Sequence, residues 1–193
     1  MGRLARHLSP GIGLQRLLRG FRWMLGFAGT FALLHWLTMQ ASPVFDVVPG
    51  KISLIYLPAF VRMISIMVAG IPAVIGIGAG SFFMSVAYHG LPISFAAADA
   101  AAACLAIIFA HAVLRQAMGV ARVPITFWNL LALTGIYCAC NAVTHGIFWG
   151  LLELDFHLAP WQLSLMMAGD LLGVVTMFLM SRIVIRRARQ LSF

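Results

Sequence analysis

The stretch Ile55-Tyr56-Leu57-Pro58-Ala59-Phe60-Val61-Arg62 places a proline and an arginine inside a run that is otherwise uncharged from Ile52 to Ala87. An arginine at the centre of a bilayer costs about 2.5 to 3.5 kcal/mol on insertion scales. Membrane sequences that keep such a residue usually provide its guanidinium with a carboxylate, a water-filled cavity or a ligand. We therefore expect Arg62 to mark the polar centre of a membrane protein, with Asp99 and Asp170 as its partners.

The composition favours a membrane protein over a soluble one. Of the 193 residues, 62% are hydrophobic and 9% are charged, whereas soluble domains carry roughly 25% charged residues. A spanning helix needs about 20 apolar residues, so this length suits an all-α bundle with short loops. The net charge of +8 does not indicate nucleic-acid binding, because the arginines flank apolar segments and form no single basic face.

Six apolar segments separated by turn signals predict six transmembrane helices. The predicted spans are 22–41, 52–70, 72–88, 93–114, 124–149 and 161–181. Residues 1–21 form a basic segment, which is either a plain positive anchor or an interfacial helix, and residues 182–193 form a basic tail. Because no cleavage-site pattern follows the apolar run after Trp23, we interpret that run as a retained span rather than a signal peptide.

The placement of arginines predicts the orientation of this six-span bundle. The segments on one side contain no acid and hold Arg3, Arg6, Arg16, Arg19, Arg22, Arg115, Arg122, Arg182, Arg186, Arg187 and Arg189. The segments on the other side hold Lys51, Asp46, Glu153 and Asp155. Cytoplasmic loops of membrane proteins carry the excess of arginine and lysine. We therefore expect both termini in the cytoplasm and the bundle in the inner membrane of a bacterium.

The polar residues within the spans predict a pocket in the outer half of the bilayer. At about 1.5 Å per residue, Arg62, Asp99 and Asp170 all fall on that side. In the fifth span, a polar stripe spaced three or four residues apart follows one helix face. The predicted ligand-binding residues are Arg62, Asp99, Tyr137, Asn141, His145 and Asp170. Arg62 is expected to bind a ligand carboxylate, or Asp170 when the pocket is empty. An internal Arg–Asp pair without a ligand, and proton or ion translocation, are the alternatives.

No catalytic residue, metal site or cofactor is predicted. The sequence contains no zinc-protease or serine-hydrolase motif, and Cys138 and Cys140 are two apart on a helix and point to opposite sides. Together with Cys104 they are interpreted as packing residues. A haem held between His35 and His145 is an alternative, since both histidines fall in the outer half.

Small residues and one proline are predicted to shape the bundle. Pro58 removes a backbone donor and frees a carbonyl in the second span. Gly76, Gly78 and Gly80 face the alanine-rich fourth span, and small residues allow membrane helices to approach closely. We therefore expect spans three and four to form a close-packed hairpin.

Two stretches of the sequence resemble the membrane-associated sensor domain called MASE1. They are Leu54 to Arg62 with the following Gly70–Gly80 segment, and Gly169-Asp170-Leu171-Leu172-Gly173-Val174. The resemblance implies a sensing role within the membrane, with Pro58, Arg62 and Asp170 at motif positions. Members usually have more spans and are fused to a histidine kinase or a diguanylate cyclase. We therefore expect this chain to act through a separate partner.

A second resemblance is architectural. The substrate-binding subunits of energy-coupling-factor vitamin transporters are similar in length, with six spans and both termini inside, and they dock a partner through small-residue patches. The sequence thus favours a non-enzymatic sensor-like or ligand-binding module, with a transporter subunit or a structural scaffold as alternatives. The expected partners are the lipid bilayer, a small-molecule ligand, and a membrane-protein partner or a second copy of the chain.

Overall fold

The protein is almost entirely helical in the computed structural model, which describes residues 10–48, 52–151 and 160–191. In chain order the elements are α1 (Pro10–Phe45), β1 (Asp46–Val48), β2 (Ile52–Ser53), α2 (Pro58–Ala69), α3 (Ile71–Phe83), a π-helical turn (Met84–Tyr88), α4 (Ile93–Met118), α5 (Phe127–Leu151) and α6 (Pro160–Leu191). The two strands pair antiparallel. The predictions made for Arg3, Arg6, Lys51, Glu153 and Asp155 lie outside the described residues.

Four helical stretches in the described part of the chain are long and apolar enough to cross a membrane. They are Ile71–Tyr88, Ile93–Met118, Phe127–Leu151 and Trp161–Gln190. Large apolar side chains are exposed along them, among them Ile75, Phe109, Ile147 and Leu179. Such surface is rare on soluble monomers and is expected where a membrane covers it. This is the pattern of a multi-pass membrane protein, and the all-helical class predicted from the sequence is confirmed at this level.

The second predicted span is not one continuous helix from residue 52. Helix α2 covers only Pro58–Ala69, and its 12 residues reach about 18 Å at 1.5 Å per residue. Pro58 is the first residue of α2, where its missing N–H has no intrahelical partner to lose, so it does not free a carbonyl within a helix as predicted. Upstream of it, Ile52–Ser53 form β2 and residues 54–57 form bends and a turn. The Tyr56 amide donates a hydrogen bond to the Gly169 carbonyl oxygen at 3.1 Å, so this non-helical segment packs against α6.

The predicted limits of the first and last helices also differ from the structure. Helix α1 runs without interruption from Pro10 to Phe45, across the expected boundary at residue 22 and beyond the expected end at residue 41. Helix α6 continues to Leu191, ten residues past the predicted end of the last span at residue 181. The basic residues before position 22 in α1 and after position 181 in α6 therefore belong to the same helices as the neighbouring apolar segments.

The glycines of α3 pack against two neighbours rather than one. A Cβ atom on Gly76 would overlap the Met24 carbonyl of α1, and one on Gly80 would lie 2.8 Å from the Ala28 carbonyl oxygen. Gly78 faces α4, where a Cβ atom would lie 2.6 Å from the Cys104 sulfur. Residues four apart share a helix face and residues two apart do not. The predicted close hairpin of α3 and α4 therefore holds at Gly78, whereas Gly76 and Gly80 bring α3 onto α1.

Candidate functional site

A cavity of about 240 Å³ lies at the end of the bundle that carries the β-hairpin. Four of the six predicted ligand-binding residues line it, namely Arg62, Asp99, His145 and Asp170. Asn141 and Tyr137 do not line it but contact residues that do. The other residues that line the cavity are His35, Met39, Asp46, Ile52, Ser53, Tyr56, Ser81, Ser85, His89, Leu91, Phe95, Trp149 and Met166. The fold thus gathers polar side chains from distant parts of the chain around one space.

Arg62 is buried, with 3% of its surface exposed. Its guanidinium carbon lies 4.9 Å from the centre of the Phe31 ring and 5.3 Å from that of Tyr56, and aromatic faces attract cations. Its Nε atom has no hydrogen-bond partner among the described residues, and no described carboxylate oxygen lies within 4.0 Å of its nitrogens. The expected direct ion pair with Asp170 is therefore not formed.

Two glycines of α6 bring Asp170 close to the segment that precedes Arg62. A Cβ atom on Gly169 would overlap the Ser53 carbonyl, and one on Gly173 would overlap the Tyr56 carbonyl. The non-helical segment 52–57 before α2 can rest on α6 only because Gly169 and Gly173 carry a hydrogen atom in place of a side chain. Asp170 follows Gly169 and lines the cavity. We call Tyr56, Arg62 and Asp170 the arginine wall.

Several polar atoms in and behind the arginine wall lack partners. The Asp170 Oδ2 atom accepts a hydrogen bond from Asn141 Nδ2 at 2.6 Å. The Asn141 Oδ1 atom and the Tyr137 hydroxyl have no hydrogen-bond partner in the described chain, although Tyr137 lies close to Arg62. A buried polar group left without a partner costs about 1 to 3 kcal/mol. Asn141 and Tyr137 do not line the cavity, so the hydrogen-bonding capacity that a guest or water can use is that of the Arg62 guanidinium.

A second group of cavity residues, which we call the serine–histidine wall, consists of Ser81, Ser85, Asp99 and His145. The Asp99 Oδ2 atom accepts hydrogen bonds from Ser81 at 2.8 Å and from Ser85 at 3.2 Å. The Asp99 Oδ1 atom lies 3.3 Å from His145 Nε2. The protein itself therefore supplies donors to both oxygens of this carboxylate.

The His145 contacts fix the charge of that wall. Its Nδ1 atom lies 2.9 Å from the Asn141 carbonyl oxygen, which can only accept, so Nδ1 carries a hydrogen. The contact between Nε2 and Asp99 also needs a proton, held on either the nitrogen or the oxygen. The Asp99–His145 pair therefore holds one shared proton and has no net charge. Among the described residues deep in the cavity, the charges of Arg62 and Asp170 then balance each other.

Two histidines complete the lining. His35 Nε2 lies 2.9 Å from His89 Nε2, and His35 Nδ1 lies 3.1 Å from the Tyr56 hydroxyl. Partial burial lowers the pKa of His89, and the nearby Asp99 carboxylate opposes this effect. The described residues contain no group of three metal-ligating side chains. The contacts of His35 and His145 also use their ring nitrogens, so neither is free to bind a haem iron in this arrangement.

Ser81, Ser85 and His89 line the cavity but were not among the residues predicted from the sequence. They are spaced four apart, the same signal that identified the polar stripe of the fifth span. The π-helical turn Met84–Tyr88 carries Ser85 and ends beside His89, and such turns are frequent at functional sites. A periodicity count along the third span would have found these residues, but the π geometry could not be predicted from it.

Comparisons with known proteins identify no relative of this chain. No protein-family model matches the chain, and neither a curated protein nor a solved structure is significantly similar to it. The resemblance to the MASE1 sensor domain therefore stays a prediction.

Proposed function

We propose that this protein binds a small zwitterionic molecule, with a carboxylate and an amino group, in the cavity between the two walls. The observation that carries the proposal is the buried Arg62 guanidinium, which lines the cavity without an ion pair to any described carboxylate. A buried cation without a paired anion is unfavourable. A ligand carboxylate supplies that anion and can form two parallel hydrogen bonds with the guanidinium.

The charge balance favours a zwitterion over a simple anion. Asp170 already offsets the charge of Arg62 at a distance beyond an ion pair, so a guest with no net charge keeps the site neutral. Its amino group is expected at Asp170, where Asn141 holds one oxygen and no described side chain makes a salt bridge. The volume of about 240 Å³ lies just below the roughly 300 to 1,000 Å³ of pockets for drug-sized ligands, which indicates a smaller molecule.

Native mass spectrometry of the purified protein tests this proposal. We expect a bound small molecule, or binding of small amino acids added as probes, in the wild type. Arg62→Met should reduce binding by at least about a hundredfold, because a charge-assisted bidentate pair is lost. The matched control is Ser65→Ala, which removes a buried hydroxyl from the same helix that bonds only the Arg62 carbonyl.

Three results would overturn the proposal. The first is a wild type that binds neither a co-purified compound nor any probe. The second is a ligand that Arg62→Met retains at wild-type affinity. The third is equal loss in Ser65→Ala, because that would assign the effect to the helix and not to the guanidinium.

We further propose the finer architecture and role. Helices α1 and α2 complete a six-helix bundle in a bacterial inner membrane, with both termini in the cytoplasm. Arg16, Arg19 and Arg122 lie together at one end, and the positive-inside rule supports that end as cytoplasmic. The protein is non-enzymatic and reports or delivers its ligand through a separate membrane partner, as sensor domains and transporter subunits do. Reporter fusions at residues 1 and 193 test the orientation, and an extracellular terminus would contradict it.

A further inference from the structure

We propose that the end of the bundle opposite the cavity carries a binding site for the phosphate of an anionic phospholipid. The site is a groove lined by Arg16, Arg19 and Trp23 of α1, the turn from Gly70 to Pro72, and Arg122 of the loop after α4. We call it the basic groove. It shares no residue with the cavity, so it does not depend on the ligand proposed above.

The fold brings these arginines together from separate parts of the chain. Helix α1 passes directly over the first turn of α3, since a Cβ atom on Gly20 would make ordinary contact with Pro72 at 3.5 Å. Gly70 has a φ of 68°, which allows α2 to turn into α3 without a longer loop. Val123 is 4% exposed and anchors the loop that carries Arg122. The groove is thus built by tertiary packing, not by one run of basic sequence.

The charge of the groove is uncompensated in the described part of the chain. The described acids, Asp46, Asp99 and Asp170, all line the cavity at the other end. Three neighbouring cations repel one another, and an anion between them relieves that repulsion. Guanidinium groups bind phosphate oxygens through paired hydrogen bonds. The groove therefore suits a phosphate group.

The surroundings indicate a lipid phosphate rather than a soluble one. Trp23 is 42% exposed and Val68 is 46% exposed, and Ile66 and Met67 also line the groove. Tryptophan is enriched at membrane interfaces, where an apolar body lies against acyl chains. Basic pockets between helices next to such surface are typical sites for anionic headgroups. A soluble phosphate would leave this apolar side exposed to water.

Lipid binding to the purified full-length protein tests the inference. The probes are phosphatidylglycerol, phosphatidylcholine and inorganic phosphate, each titrated into detergent-solubilised protein and counted by native mass spectrometry. The test variant is Arg16→Gln/Arg19→Gln/Arg122→Gln. The control is Arg182→Gln/Arg186→Gln/Arg187→Gln, which removes the same charge from exposed positions of one helix, α6. Arg122→Gln alone is a second test variant in case the triple variant is not monodisperse.

The expected result is tighter binding of phosphatidylglycerol than phosphatidylcholine, weakened at least about tenfold in the groove triple and less than about threefold in the α6 control. Arg122→Gln alone should weaken it by about fivefold. Equal losses in both triples would overturn the site in favour of general charge attraction. Equal binding of both lipids, or competition by millimolar inorganic phosphate, would overturn the assignment to an anionic lipid.

Discussion

The serine–histidine wall and the arginine wall face the same cavity, and they satisfy their charged groups in different ways. Asp99 has donors on both oxygens from Ser81, Ser85 and His145. Arg62 has two aromatic faces and no described carboxylate within ion-pair distance. The first wall is complete without a guest, whereas the second has hydrogen-bonding capacity that a guest or water must use. We therefore expect the arginine wall to select the proposed ligand.

The largest difference in stability between the two walls is expected when Asp170 and Asp99 are neutralised one at a time. Asp170→Asn leaves the Arg62 charge unbalanced, and we expect a loss of stability of up to about 3 kcal/mol, the lower end of the cost of removing one buried partner. Asp99→Asn releases the shared proton and leaves His145 neutral, so the net charge does not change and the loss should be smaller. Thermal unfolding in detergent measures both.

A double variant provides the control for this comparison. Arg62→Met/Asp170→Asn should be more stable than Asp170→Asn alone, because the unbalanced charge is then absent. If Asp99→Asn proves the more damaging change, or if the double variant gains nothing, the charge assignment of the two walls is wrong.

Adding one methyl group at Gly173 should disturb the contact that holds Tyr56 of the arginine wall against α6. In Gly173→Ala the new Cβ atom overlaps the Tyr56 carbonyl, and we expect a loss of about 1 to 3 kcal/mol, as for other overpacked sites. Gly135→Ala in α5 is the matched control, since nothing lies within 4 Å of its Cβ position. That change should be neutral or stabilising by up to about 1 kcal/mol. Similar unfolding temperatures for the two variants would contradict the close approach of residues 53–56 to α6.

Removing hydrogen bonds from the serine–histidine wall should destabilise the protein, and the shorter bond should cost more. Ser81→Ala removes a donor to Asp99 at 2.8 Å and Ser85→Ala removes one at 3.2 Å. Hydrogen bonds to charged groups contribute about 1.5 to 3 kcal/mol, and we expect Ser81→Ala near the lower value and Ser85→Ala below it. Ligand affinity should change little in either variant. A loss of affinity as large as that of Arg62→Met would show that this wall also selects the guest.

The smallest effect is expected from pH, through His89. Its pKa in the folded protein lies below the ordinary value of 6.5, so the folded state favours the neutral ring. This contribution to stability is present above pH 6.5 and decreases as the pH falls below that value. Solvent screening keeps it small, because part of the His89 side chain is exposed to solvent. The unfolding temperature of His89→Asn, measured from pH 7.5 to 5, should fall less than that of the wild type; a parallel decrease would assign the effect to other groups.

The membrane character of the fold could be predicted because it depends on composition and length alone. The grouping of Arg62, Asp99, His145 and Asp170 was predicted from their shared position in the outer half of the bilayer, which needs only a rise per residue. The half-length α2 could not be predicted in the same way. Residues 52–57 lack charge like a spanning helix, and only the structure, with its carbonyl contacts at Gly169 and Gly173, shows that they are not helical.

A direct Arg62–Asp170 pair was the arrangement expected for the empty pocket, and the structure does not form it. Sequence spacing gives depth along a helix but not the rotation of that helix about its axis, which is set by tertiary packing. The aromatic faces of Phe31 and Tyr56 occupy positions that depth arguments could not assign. Ring contacts therefore contribute to the position of Arg62 as much as the acids do.

The contact between residues 53–56 and α6 has a consequence for biogenesis. Residues 53–56 leave the ribosome before α6, the helix whose Gly169 and Gly173 they rest on. Until α6 is made, the amide of Tyr56 lacks the Gly169 carbonyl that accepts its hydrogen bond, and Arg62 lacks Asp170. We expect quality-control proteases to recognise a nascent chain that ends before α6 sooner than the finished protein.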